Sequence, residues 1–198
     1  VDYNGKTYYV VDGVVNHSCN GLTYINGEWC YIVNGVLDTG YNNLILYNGT
    51  WYYVDHGKIN WHYTNLVQYY GTWYYVENGK INWNKNTLCQ VNGHGTWYYV
   101  ENGKINWHYQ GLVYCNKEWY YIKNGVHQTN YSNLVLYNGT WYYVKNGKID
   151  WCYTNLVQYH GTWYFVENGK INWGKNTLSQ VDGHGTWYYI ENSQINWH

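Results

Sequence analysis

The residues best suited to chemistry in this chain are aromatic, and they recur in one string. Trp73-Tyr74-Tyr75 is repeated with small changes from end to end, in a chain of 198 residues that holds 29 Tyr, 14 Trp and one Phe. An aromatic face stacks on the apolar side of a sugar ring, and it attracts a cation by about 0.5–2 kcal/mol per contact. In a strand, residues two apart share a face. The rings that alternate onto the face carrying Asn and Lys are therefore the candidate ligand-binding residues: Trp51 and Tyr53, Trp73 and Tyr75, Trp97 and Tyr99, Trp119 and Tyr121, Trp141 and Tyr143, Trp163 and Phe165, Trp187 and Tyr189. Their structural reading, as filling between neighbouring elements, carries about even weight at any single repeat, because large rings are most often core. Two aromatic-rich faces per element exceed what one thin core buries, and that surplus favours binding.

No catalytic residue is proposed. Glu77, Glu101, Glu167 and Glu191 all flank a turn opposite Lys80, Lys104, Lys170 and Gln194, which reads as exposed pairing of small worth. A glycosidase needs two carboxylates in unequal environments about 5–10 Å apart, and no such pair is marked. His94 and His184 occupy one repeated slot, Gly-His-Gly-Thr-Trp, which reads as an exposed loop rather than a metal site. No metal and no cofactor is expected. The Asn-Gly-Thr strings at Asn48 and Asn138 follow from the repeat and need no glycosylation reading.

The elements that position the rings follow from the repeat. A marker Trp recurs at positions 29, 51, 73, 97, 119, 141, 163 and 187, at intervals of 22 or 24 residues, after a degenerate copy at Thr7. Nine hairpins are predicted, near 7–16, 29–38, 51–61, 73–83, 97–107, 119–128, 141–151, 163–173 and 187–197, forming one array over 1–198. A 90-residue period lies over the short one: segments 47–108 and 137–198 align without gaps and differ at 12 of 62 positions. In six of the nine units Asn-Gly separates two strand-like runs, the signature of a type I′ turn. With Asn78-Gly79 at the turn, Glu77 opposes Lys80, Val76 opposes Ile81, Tyr75 opposes Asn82 and Tyr74 opposes Trp83. The face Tyr74, Val76, Ile81 and Trp83 reads as core, with Trp83-type rings assigned to packing; Trp73, Tyr75, Glu77, Lys80 and Asn82 read as the ligand face. The connector Tyr63–Tyr69 carries a Leu-Val pair expected to plug the core and add a short strand. Asn192-Ser193 replaces Asn-Gly in the last hairpin, and Ser at positive φ predicts a turn that frays or changes type.

Pro, Met, Ala and Arg are absent, which removes the best helix formers and leaves strand and turn formers. The fold class expected is all-β, a β-solenoid of stacked β-hairpins of about 22 residues, because an isolated hairpin is marginal and stacking buries its apolar faces. Net charge is −1 with no basic stripe, so neither nucleic acid nor an anionic membrane is an expected partner. No apolar run approaches the ~20 residues that span a bilayer. Cys19, Cys30, Cys89, Cys115 and Cys152 are odd in number and fall at unrelated repeat positions, so free thiols are expected rather than a disulfide framework. The chain opens at Val1, partway into a repeat, and reads as a fragment or processed product.

At Trp-Tyr-Tyr-Val-x-Asn-Gly-x-Ile the sequence resembles the cell-wall-binding repeat superfamily, which includes choline-binding, glucan-binding and clostridial-toxin repeats. The string stands at Trp51-Tyr52-Tyr53, Trp73-Tyr74-Tyr75, Trp97-Tyr98-Tyr99, Trp119-Tyr120-Tyr121, Trp141-Tyr142-Tyr143, Trp163-Tyr164-Phe165 and Trp187-Tyr188-Tyr189, so the resemblance spans the chain. It implies stacked hairpins with ligands lodged between consecutive ones. One departure bears on the ligand: where choline-binding repeats place a Trp wall of the cage, this chain has Leu66 and Leu156. A glycan needs fewer rings than a quaternary ammonium, so the expected partner is a bacterial cell-wall polysaccharide or glucan, held by avidity on a secreted or Gram-positive cell-surface module. The alternatives are a structural stalk, adhesin or fibre self-associating through solenoid ends, and choline-type teichoic-acid binding.

Overall fold

The computed structural model describes residues 1–181 and 185–197, and every element among them is a β-strand. The all-β stack of hairpins read from the sequence is what forms. Among the described residues no helix is long and apolar enough to cross a membrane. The chain divides into two compact units, Val1–Ile105 and Asn106–His198.

One repeat of the first unit shows how residues choose the geometry. Strand Asn65–Tyr69 pairs antiparallel with Thr72–Glu77, which pairs in turn with Lys80–Ile81. Val76 opposes Ile81 and Glu77 opposes Lys80, and the Asn82 amide donates to the Tyr75 carbonyl at 3.0 Å, so the register is the one the Asn-Gly turn predicts. Asn78 and Gly79 have φ of 51° and 73°, the left-handed pair a type I′ turn requires. The connector adds the short strand expected of it. Its five residues pair along the marker strand through a second turn at Tyr70-Gly71, with φ of 43° and 80°. This repeat is thus three-stranded with two left-handed turns.

Successive hairpins are joined by backbone. Lys80 pairs with Tyr52 of the preceding hairpin, and the Tyr53 amide donates to the Gly79 carbonyl at 2.9 Å. The Gly79 amide donates to the Tyr63 carbonyl, and the Asn78 amide to Thr64 Oγ1. The second unit repeats this ladder: Tyr120 pairs with Lys148, Tyr142 with Lys170 and Tyr164 with Gln194. The turn at Asn192-Ser193 departs from expectation. It neither frays nor changes type: Asn192 and Ser193 hold φ of 48° and 62°, and Ser193 is wholly buried with its hydroxyl donating to the Asn172 carbonyl.

The core lies between hairpins rather than along one face. Leu44, Val67, Val76 and Ile81 form one cluster, edged by Trp51, Tyr53 and Tyr74. Leu66, Tyr75, Val100 and Ile105 form the next, edged by Trp73 and Tyr98. The Val76/Ile81 side of a hairpin therefore meets the hairpin before it, and the Trp73/Tyr75 side meets the hairpin after it. This corrects the division into a core face and a ligand face, since the hairpin at 73–83 is covered on both sides by its neighbours. The packing role given to Trp83 is corrected too: it is 42 % exposed, because strand pairing ends at Ile81 and leaves the ring beyond the covered zone.

Candidate functional site

The gap between two stacked hairpins is where rings from both meet. In the second unit one gap encloses a cavity of about 200 Å³ lined by Leu134, Trp141, Tyr159, His160, Tyr164, Ile171 and Trp173. Trp141 comes from the earlier hairpin; Tyr164 and Trp173 come from the later one. Tyr159 ends the connecting strand and lies edge-on to Trp141, with centroids 5.0 Å apart. Leu134 and Ile171 belong to the core cluster beneath, so the cavity is floored by aliphatic carbon and walled by rings. The preceding gap holds a second cavity of about 250 Å³, whose lining includes Tyr121, Tyr131, Leu134, Trp141 and Tyr159. Trp141 lines both.

The walls are held by hydrogen bonds from buried phenols. Tyr131 packs on Tyr121 at 4.5 Å and donates its hydroxyl to the Leu134 carbonyl at 2.8 Å. Burial pushes the Tyr131 hydroxyl up to about 12, so it stays a neutral donor across physiological pH. The first unit repeats the device: Tyr63 stacks on Tyr53 at 3.9 Å and donates to the Leu66 carbonyl, and burial raises its hydroxyl to about 12. Phenols locked this way hold their rings in place.

The structure distributes the sequence candidates unevenly. Trp141 and Tyr121 line the cavities. Trp51 meets Tyr69 and Trp119 meets Tyr137 across their gaps, as Trp141 meets Tyr159. Tyr75, Tyr121 and Phe165 are only 7–8 % exposed, their rings pressed against the next hairpin's Val and Ile. Tyr53 and Tyr143 are half-buried, stacked on Tyr63 and Tyr153. Trp73 and Trp163 edge core clusters, while Trp97, Trp187 and Tyr189 are exposed and Tyr99 is half-buried. Sequence reasoning misses Trp173, Tyr164, Tyr159 and His160 as site residues. The signal that marks Trp173 is its place two residues beyond the last paired residue, Ile171, where no partner strand remains to cover it.

Charge is arranged away from the cavities. Glu77 does not pair with Lys80 across the turn; it bonds Lys85 at 2.7 Å and Asn82 at 2.6 Å, contacts that hold its carboxyl below the usual range. Glu167 repeats this with Lys175 and Asn172. Among the described residues no group of three His, Cys, Asp or Glu is placed to hold a metal ion. None of the five cysteines is joined in a disulfide. His184 and His198 lie outside the described residues.

The family model described as "Choline-binding repeat" matches residues 40–60, 63–82, 84–106, 109–128, 130–150, 153–172 and 179–196. The chain belongs to the choline-binding repeat family. The matched segments include every residue lining the 200 Å³ cavity except Trp173. No curated protein matches the chain. Similar solved structures include CbpJ from Streptococcus pneumoniae TIGR4, 24% identical over 89% of this chain and 58% of its own, with a TM-score of 0.36. Choline binding protein F from Streptococcus pneumoniae, solved in the presence of a peptidoglycan analogue, is 24% identical over 90% of this chain and 58% of its own, with a TM-score of 0.35. An alternansucrase in complex with isomaltotriose is 21% identical over 96% of this chain and 16% of its own, with a TM-score of 0.35. This choline-binding repeat chain therefore spans just over half the length of the first two.

Proposed function

We propose that the chain is a non-catalytic cell-wall-binding module that takes choline-type head groups of a wall polymer into the aromatic gaps between its hairpins. The observation that carries this reading is the cavity bounded by Trp141, Tyr159, Tyr164 and Trp173. Four rings converge there on a space of about 200 Å³, smaller than the ~300–1,000 Å³ of pockets for drug-sized ligands. A head group fits such a space and an oligosaccharide does not. The lining also favours a methylated cation over a sugar. Its polar atoms are the Tyr159 and Tyr164 hydroxyls, the indole N–H groups and His160, with no carboxylate or amide side chain to satisfy several sugar hydroxyls. Rings alone satisfy a quaternary ammonium, at about 0.5–2 kcal/mol each.

The Leu that stands for a Trp at Leu66 and Leu156 argues, by itself, against choline. In the gap, the corresponding Leu134 forms the floor, and Trp173 supplies a wall from beyond the hairpin's paired strands. The family membership supports the same ligand class, and a choline-presenting wall fits a secreted or cell-surface location. Individual sites of this kind are weak, and linked repeats gain apparent affinity of order 10²–10⁴ when several engage together.

Retention on purified choline-bearing cell walls tests the reading. The expected result is retention that excess free choline releases. Retention on dextran or choline-free wall polysaccharide that choline leaves untouched would transfer the function to glycan binding. No retention on any wall, with self-association at rising concentration, would leave the structural stalk.

A further inference from the structure

Several hairpins carry, at their open edge, a corner made by the first Tyr of one strand and the Trp beyond the other; at one of them Tyr188 and Trp197 stand 5.7 Å apart at 70°. Tyr52–Trp61, Tyr74–Trp83, Tyr142–Trp151 and Tyr164–Trp173 have centroids 5.8, 5.8, 5.9 and 5.9 Å apart and interplanar angles of 82–86°. The chain fills three of these corners with its own ammonium. Lys80 Nζ stands 5.5 Å from the Tyr52 ring and 5.6 Å from the Trp61 ring. Lys104 Nζ stands 5.4 Å from both Tyr74 and Trp83, and Lys170 Nζ stands 6.0 Å from Trp151. In every case the lysine is supplied by the following hairpin, at the residue paired with the corner's Tyr.

The fourth corner has the same rings in the same geometry and no lysine. Gln194 pairs with Tyr164 where Lys80, Lys104 and Lys170 stand in the others, and its side chain is neutral and exposed. Where a corner loses its Trp instead, the lysine finds another partner. Thr129 stands at the Trp position opposite Tyr120, and Lys148 there bonds Glu118 at 2.5 Å while keeping 5.1 Å from the Tyr120 ring. Lysine and corner are therefore matched as ligand and receptor within this one chain.

We infer that the Tyr164–Trp173 corner is an open acceptor for an alkylammonium group, a site this chain closes elsewhere with lysines of its own. The ligand chemistry is read from the occupants of the other three: a primary ammonium on an aliphatic stem, laid against both perpendicular rings at two corners and against the Trp ring at the third. Such a group reaches the corner as the side chain of a lysine in a peptide or as a free alkylamine. The inference does not need choline in the neighbouring gap, although Trp173 and Tyr164 border both sites.

Assigned indole N–H signals in a nitrogen-edited NMR spectrum of the whole chain test it, titrated with n-butylammonium and, separately, with a lysine blocked at both its α-amino and α-carboxyl groups. The expected result is a progressive shift of the Trp173 signal, with Trp141 and Trp83 unmoved. Trp141 lines the gap but not the corner, so Trp141 moving together with Trp173 would place the ammonium in the gap and overturn the inference. Trp83 is covered by Lys104 and serves as the filled control within the same molecule. Gln194→Lys is expected to abolish the Trp173 response, and Lys104→Gln to make Trp83 respond as Trp173 does. A flat Trp173 trace with both probes, or an unchanged response in Gln194→Lys, overturns the inference. A response to n-butylammonium alone restricts the occupant to a free amine, and a response to both admits a lysine-bearing peptide.

Discussion

Ser193 and His127 each stand where the repeat uses a different residue, and each carries a measurable cost. Ser193 holds φ of 62° at a turn position that is Gly elsewhere, and its counterpart Gly169 would bring a Cβ to 2.7 Å from the Asp150 carbonyl oxygen. A side chain in the left-handed region costs about 1 kcal/mol. Ser193→Gly is therefore expected to stabilise the chain by less than ~1 kcal/mol in denaturant or thermal melts, because the lost hydroxyl bond offsets part of the backbone gain. An unchanged or lowered melting midpoint would show that the bond to the Asn172 carbonyl outweighs the backbone term. His127 takes the place of the core Ile, buried, with Nε2 3.1 Å from the Gly147 carbonyl oxygen and its ring edge-on to Tyr120. Burial pushes its pKa below the ordinary value, against the raising effect of the Gly147 bond and with Lys148 adding to the depression. The unfolded chain then binds the proton more readily than the folded one. No penalty exists above the unfolded value of about 6.5, and stability falls as pH drops below it until the folded pKa is passed. His127→Ile should flatten that part of a stability-versus-pH curve, and a slope that persists in the variant would remove His127 as its source.

At the scale of the hairpin, the two turns of a repeat look alike in sequence and differ in what surrounds them. A Cβ at Gly79 would meet the Asn60 carbonyl oxygen at 2.6 Å, whereas one at Gly71 meets nothing within 4 Å. Both have positive φ, so both pay the backbone penalty of about 1 kcal/mol on conversion to Ala. Gly79→Ala is expected to cost at least ~1 kcal/mol more, because it also parts one hairpin from the connector beneath it. Equal losses by denaturant unfolding would contradict that account. The same comparison explains what was legible. Asn78-Gly79 declares its turn through residue type, so the turn and its register are readable from the order of residues alone. Tyr70-Gly71 places a 90 % exposed Tyr at positive φ, a choice no propensity suggests, so the strand Asn65–Tyr69 is legible from its Leu-Val pair while the turn that pairs it is not. Period-two alternation tells which side chains share a face, which is why Trp73 and Tyr75 group correctly. It cannot tell which neighbouring hairpin covers that face. Trp173 therefore reads as packing, although it stands 47 % exposed at a cavity wall.

For the molecule as a whole, the proposed function turns on how many gaps are intact, because linked weak sites gain apparent affinity together. Trp141 borders two cavities, so removing it should damage two sites at once. Trp141→Ala is expected to weaken wall retention about tenfold or more, the equivalent of roughly 1.4 kcal/mol spread over both gaps. Trp29→Ala, in the other unit, should leave those two cavities unaltered and serve as the control for aromatic loss in general. The most direct measurement is a choline titration of the whole chain followed on the assigned indole N–H signals of Trp141 and Trp173. The account predicts that the two signals move together along one saturable curve, and that Trp141→Ala removes the response at Trp173. Signals that stay fixed while choline rises, or a response at Trp173 that survives loss of Trp141, would contradict the claim that the gap between these hairpins holds the ligand.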